Sequence, residues 1–362
     1  MSQGAEFIST PLRNQRALLR SAVIRRLSRK AEARWVASED INIEYLLDVF
    51  TTIDGNSGNV WDICSYFLEH LGEHKPRPVV LGPKVEGLPD DHPSKPRCLF
   101  QLATLLRSVG KYAECKSFLT HTLKLGRKRG DDFEVVRALV ALSDADRVLG
   151  LHKEGIQRAE EALEICEQLN DAFGLAHSFR ALAWSLLYDN QLDAAEGAAS
   201  RAIEFLPDEG DRSLVCECHD LLGDIYKLKG ETEKAIAHFE VALDIASSFG
   251  WHDRQFWICY SLVYLFAQQS RFDDAQAHLE RAKPHAAHSA YLLGCAARLQ
   301  AELWHVRGRF EEAKSAALRA VDLYEKIGAT KDLEKCREFI MDIDAEMKSL
   351  MNRTSTSMVS SW

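Results

Sequence analysis

The sequence predicts an all-α fold: a right-handed superhelix, an α-solenoid, of about six antiparallel helix pairs with a C-terminal capping helix. Three observations carry this. A turn residue recurs at Gly110, Gly150, Asn190, Gly230 and Ser270, spaced by 40 residues, and again at Gly308 after 38. Small residues recur five places after each turn (Cys115, Gly155, Ala195, Ala235, Ala275, Ala313) and twelve places after it (Thr122, Ala162, Ala202, Ala242, Ala282, Ala320). Eight places before the turn stand Leu102, Leu142, Leu182, Leu222, Leu262 and Gln300. Small and apolar residues at such intervals lie on one stripe of a helix, placed where two helices come close. One pair cannot bury that stripe alone, so its copies must stack.

The elements follow in order. Residues 1–75 read as an N-terminal helical segment. It opens without apolar pattern, then carries Arg13, Arg16, Arg20, Arg25, Arg26, Arg29, Lys30 and Arg34 around the stripe Leu19, Val23, Leu27, Ala31. Such a basic amphipathic helix packs on its neighbours, or meets a partner or an anionic membrane, or acts as an organelle presequence. Two short helices follow, at 41–52 and 61–71. Residues 76–96 hold six of the nine prolines and form an extended connector, since each proline removes a donor and disfavours helix before it. The repeats occupy 97–328. At 329–350 the apolar residues Leu333, Cys336, Ile340, Ile343 and Met347 lie opposite Glu334, Arg337, Glu338, Asp342 and Glu346, as a capping helix requires. Residues 351–362 are polar and read as a disordered tail.

Composition limits the function classes. With 46% apolar and 27% charged residues the chain is ordinary for a soluble globular protein. A net charge of −9 supplies no dominant positive field for nucleic acid. No run of eighteen apolar residues exists, so no transmembrane span is expected. Nine cysteines without a C-x-x-C pair, mostly at or beside core positions, point to reduced thiols in a cytoplasmic protein.

The apolar–small pair before the turn, Tyr226 beside it, the Gly230 turn and the spaced alanines Ala235 and Ala242 resemble the tetratricopeptide repeat. That family's unit is about 34 residues. Each unit here is about six longer, with the excess expected after the second helix, in LGRKRGDDF, CEQLNDAFG, ASSFGWHDRQ and YEKIGATKD. The stretches HKPRPVVLGPKVEGLPDDHPSKP and HFEVALDIASSFGWHDRQFW resemble the repeat tails of NACHT-class NTPase proteins of basidiomycete fungi. This narrower resemblance implies a sensing role beside an NTPase module. Some tetratricopeptide proteins grip a C-terminal carboxylate with a Lys and an Asn on the first unit; Phe100 and Thr104 stand at those places, so that clamp is not expected.

Catalysis needs groups that converge on one point, and no such set is legible. G-x-x-x-x-G-K-[ST], H-E-x-x-H, G-x-S-x-G and the Rossmann glycine pattern are all missing. His70, His74 and Cys64, or His285 and His288, read as surface or structural residues rather than metal ligands. No cofactor, metal or enzymatic activity is expected. The alternative is an enzyme, or a hydrolase partner, whose chemistry resides in the N-terminal 95 residues.

The working surface is expected on the concave face, where the first helices of the pairs expose the stripe that their second helices leave free. It comprises Arg137, Asp144 and Arg147 in the second unit, Arg180, Trp184 and Tyr188 in the third, and Asp220, Asp224 and Lys227 in the fourth. Tyr260 and Tyr264 follow in the fifth, with Trp257 shared between this stripe and the core, then Arg298, Glu302 and His305 in the sixth. Trp, Tyr and Arg are the residue types that anchor interfaces. The partner expected is a protein or peptide offering acidic and apolar side chains, and not nucleic acid, which Asp144, Asp220, Asp224 and Glu302 would repel.

Overall fold

The computed structural model describes residues 85, 87–92, 95–108, 110–206, 211–287 and 289–359. The N-terminal segment 1–75, with its basic helix, and most of the 76–96 connector lie outside the described residues. Among the described residues there are thirteen α-helices and no strand. They are α1 (Lys95–Ser108), α2 (Tyr112–Arg129), α3 (Asp132–Val148), α4 (His152–Leu169), α5 (Ala172–Tyr188), α6 (Leu192–Glu204) and α7 (Arg212–Lys229). After them come α8 (Thr232–Phe249), α9 (His252–Gln268), α10 (Phe272–Ala286), α11 (Ala290–Val306), α12 (Phe310–Ile327) and α13 (Thr330–Val359). The chain divides into two compact units, Met1–Leu151 and His152–Trp362. In the first, α2 packs on α1 and α3; in the second, each helix packs on the next from α4 to α13.

All six turn positions read from the spacing are left-handed: Gly110, Gly150, Asn190, Gly230, Ser270 and Gly308 have φ between 59° and 78°. At each, the next residue's N–H returns to a carbonyl five residues back, as in Glu231 N–H to Tyr226 at 2.9 Å and Arg271 N–H to Phe266 at 2.9 Å. This double-bonded stop satisfies carbonyls that the helix end leaves open. Gly130, Asn170, Gly250 and Gly328 repeat the device between pairs.

The six extra residues per unit are in the helices, not in a longer connection. α7 and α8 are each 18 residues long, joined by Gly230 and Glu231, and α9 starts after Gly250 and Trp251. The stretches expected to hold the excess are therefore the last turns of one helix and the first of the next. α6 departs from the pattern at 13 residues, ending shortly before Pro207, which disfavours helix at the residue preceding it.

The small residues are where the register requires them. Every residue of the two small-residue rows is buried, from Cys115 to Ala320. Gly223 on α7 faces the Phe239 ring of α8, and a Cβ there would come within 2.6 Å of it. Gly294 on α11 meets the Tyr324 ring of α12 in the same way.

α13 lies on α12 with the expected orientation. Cys336 and Ile343 are fully buried, while Glu334, Arg337, Glu338, Asp342 and Glu346 are exposed. The helix continues to Val359, past residue 350 and into the stretch expected to be disordered. No Gly or Pro stands between Thr330 and the end of the chain to stop it.

Candidate functional site

Within Met1–Leu151 the expected stripe is internally occupied. Arg137 pairs with Glu134 at 3.0 Å and lies 4.4 Å over the Phe100 ring. Asp144 is buried and faces Arg107 at 3.7 Å. Arg147 is half-buried on the same helix.

Within His152–Trp362 the first helices α5, α7, α9 and α11 carry the remaining residues. Arg180 is only 9% exposed, and its Nε lies 3.6 Å from Glu217 Oε2. Trp184 is half-buried against Tyr188, which is 53% exposed. On α7, Asp224 accepts a hydrogen bond from Lys227. On α9, Trp257 is 41% and Tyr264 is 45% exposed. Trp257, Tyr260 and Tyr264 form a ladder with ring centroids 5.7 and 6.4 Å apart. On α11, Arg298 donates to Glu302 at 2.9 Å and to the Tyr260 hydroxyl at 2.7 Å. His305 Nε2 is 3.1 Å from Glu346 of α13, so the C-terminal helix meets the stripe at its end.

Two members were missed in the sequence. Glu217 accepts from Arg254 Nη2 at 2.7 Å while also facing Arg180, so one carboxylate ties three successive first helices together. The signal was a spacing of 37 residues between Arg180, Glu217 and Arg254 with alternating sign. It is three short of the repeat because a side chain on one first helix reaches the next helix one turn nearer its N-terminus.

The electrostatics single out Asp220. Its carboxyl is pushed up to about 7, first by burial and then by Asp224; Arg254 opposes, Glu217 adds and Lys227 opposes. Among the described residues it makes no hydrogen bond and no ion pair, unlike Glu217, Asp224 and Glu302. Burial also raises Glu302, against the pull of Arg298. The thiols of Cys216 and Cys218 beneath the stripe are pushed up to about 12 by burial, so they are packing groups and not nucleophiles. No group of three or more metal-ligating side chains occurs among the described residues. No helix among them is long and apolar enough to cross a membrane.

This is a helical-repeat scaffold: paired helices, left-handed stops, and a polar, aromatic face on the first helix of each pair. Residues 217–249, the heart of α7 and α8, match the tetratricopeptide repeat family. That match covers one helix pair of the series. A kinesin light chain-related protein of Arabidopsis thaliana is 23% identical over 265 residues, 70% of this chain and 41% of that relative, so the chain spans well under half of the curated relative it matches. Among solved structures, a Rap protein complexed with competence and sporulation factor superposes with a TM-score of 0.56 at 14% identity, covering 92% of this chain and 99% of that one. A signal transduction ATPase with a tetratricopeptide repeat sensor from Pyrococcus horikoshii gives 0.52 at 15% identity, over 82% of this chain and 49% of that one. At such identities the structures establish the fold alone. The narrower resemblance to fungal NACHT proteins gains no match of its own from them.

Proposed function

We propose that the chain is a non-catalytic binding scaffold or sensing module that holds a peptide or protein segment on the first-helix face of its second unit, in the cytoplasm. The observation that supports this reading is the exposure of Tyr188, Trp257 and Tyr264 beside charged side chains that are already held in place by partners. Large aromatics kept at a surface on rigid helices are the usual anchors of an interface, and fixed neighbours lower the cost of ordering on binding. The eight cysteines among the described residues are all free thiols, which fits a reducing compartment. The Rap protein neighbour is complexed with a competence and sporulation factor, and the archaeal neighbour's repeats are described as a sensor; both fit the same use of this fold. The basic N-terminal segment, which lies outside the described residues, is a second contact in this reading.

The experiment is affinity capture with the full chain, comparing wild type with Trp257→Ala, Tyr264→Ala and the second-helix control Asp244→Lys. Loss of an anchor typically costs about 2 kcal/mol or more, roughly thirtyfold in affinity. Partners lost in both aromatic variants and kept in the control support the reading. Partners kept in the aromatic variants and lost in the control place the working surface on the second helices instead.

A further inference from the structure

We propose that Asp220 receives a cationic side chain, Lys or Arg, from the bound segment, with the apolar stem of that side chain lying along Trp257, Tyr260 and Tyr264. This rests on the peptide-binding reading above and specifies the chemistry of its partner.

The placement comes from the charge pairing across the first helices. Of the four carboxylates on the second unit's stripe, three already have cations. Glu217 holds Arg254 and faces Arg180, Asp224 holds Lys227, and Glu302 holds Arg298. Asp220 has none. Asp220 is half-buried, and a carboxylate partly withdrawn from water without a cation beside it gains when one arrives. The register supplies the rest of the pocket. Glu217 on α7 meets Arg254 on α9, so one helical turn further along the parallel helices Asp220 comes level with Trp257. A cation entering there has a carboxylate on one side and the aromatic ladder on the other, a combination that favours ammonium and guanidinium groups. Arg254 and Lys227, the nearest competing cations, are each occupied by their own carboxylate.

An acidic ligand, the expectation from the sequence, fits this arrangement less well. The arginines it would seek, Arg180 and Arg254, are already turned to Glu217, and it would have to approach Asp220 and Asp224.

The test uses the full chain, fluorescently labelled, on four immobilised nonapeptide sets whose central residue is fixed as Arg, Lys, Glu or Leu and whose flanks are degenerate apolar and aromatic residues. The expected result is retention by the Arg and Lys sets at least tenfold above the Glu and Leu sets. Asp220→Asn should bring the Arg and Lys sets down to the Leu level, with a thermal midpoint at neutral pH no lower than wild type. Trp257→Leu, which keeps the carboxylate, should narrow the same preference. Retention by the Glu set above the Arg and Lys sets overturns the assignment while leaving the binding reading standing. So does an Arg or Lys preference that survives Asp220→Asn. If no set retains the wild-type chain, the assignment and the binding reading fall together.

Discussion

The two sides of α7 obey different rules. Toward α8 it presents Leu222, Gly223 and Ile225 to a neighbour that fills the space completely; even a methyl group on Gly223 would strike the Phe239 ring at 2.6 Å. Toward the stripe it presents Glu217, Asp220 and Asp224, all partly exposed, the first and the last of them paired with cations. The first side specifies the fold by volume. The second tolerates changes of volume and responds to charge. The comparison teaches that one helix of a stacked repeat can be rigid as architecture and variable as recognition surface, because the two demands fall on different residues.

The largest expected break of that contrast is Phe239→Ala. It empties a fully buried site and should cost about 3–5 kcal/mol in denaturant unfolding, whereas Asp224→Ala on the other side should cost far less. Next is Ala235→Leu, which adds volume where none is free and should cost about 1–3 kcal/mol. An unchanged midpoint in that variant would refute the repeat register.

pH sharpens the contrast because the two sides titrate with opposite sign. Between α7 and α8, His219 Nδ1 and His238 Nδ1 are 2.9 Å apart, which requires that one of the two nitrogens carry no proton. Burial lowers both imidazoles, and in His219 the charge of His238 adds to it. The unfolded chain then binds more protons than the folded one below the ordinary value of 6.5, so this contact contributes its full stability above 6.5 and loses it as the pH falls. Asp220 works in the other direction. Its folded value is about 7 against 3.8, so its burden on stability grows as the pH rises from about 4 to about 7. Asp220→Asn should therefore be more stable than wild type at pH 7.5, with the advantage shrinking toward pH 4. Urea unfolding at several pH values checks both slopes; an advantage for Asp220→Asn that grows toward acid would refute the second.

The smallest effect expected is at a turn. Ser270 holds φ of 59° where four of the other five turns use Gly. Ser270→Gly should raise stability by up to about 1 kcal/mol, since a side chain disfavours that conformation. A loss instead would mean that the Ser hydroxyl contributes to the turn.

The fold was legible because its grammar is periodic. Asn190 and Ser270 carry no glycine signal of their own, yet the 40-residue spacing placed both, and both are left-handed. The orientation of α13 was legible for the same reason, from Cys336 and Ile343 against Glu338 and Asp342. What the period could not show was how the added residues are used: 18-residue helices and longer connections have the same spacing until each stop is located, and the inter-pair stops at Gly130, Asn170 and Gly250 fall outside the row of turn residues that marks the period. The stripe was legible as a set of candidates and not as a network. Arg180 looked like an anchor because a helix wheel shows one helix at a time. Its burial depends on Glu217 from the next helix, and the partnerless state of Asp220 depends on where Arg254 and Lys227 turn.

The two-residue stops have a mechanical consequence. Within His152–Trp362 each helix is fastened to its sequence neighbours by packing, and little joins elements far apart in the chain. Stretched from its ends, such an array yields unit by unit, and each 40-residue unit that lets go releases roughly 130–140 Å of contour. Gly230, Gly250 and their counterparts then act as crimps in a spring: they set where one coil ends and the next begins, and so fix the length of each step at which the spring gives way.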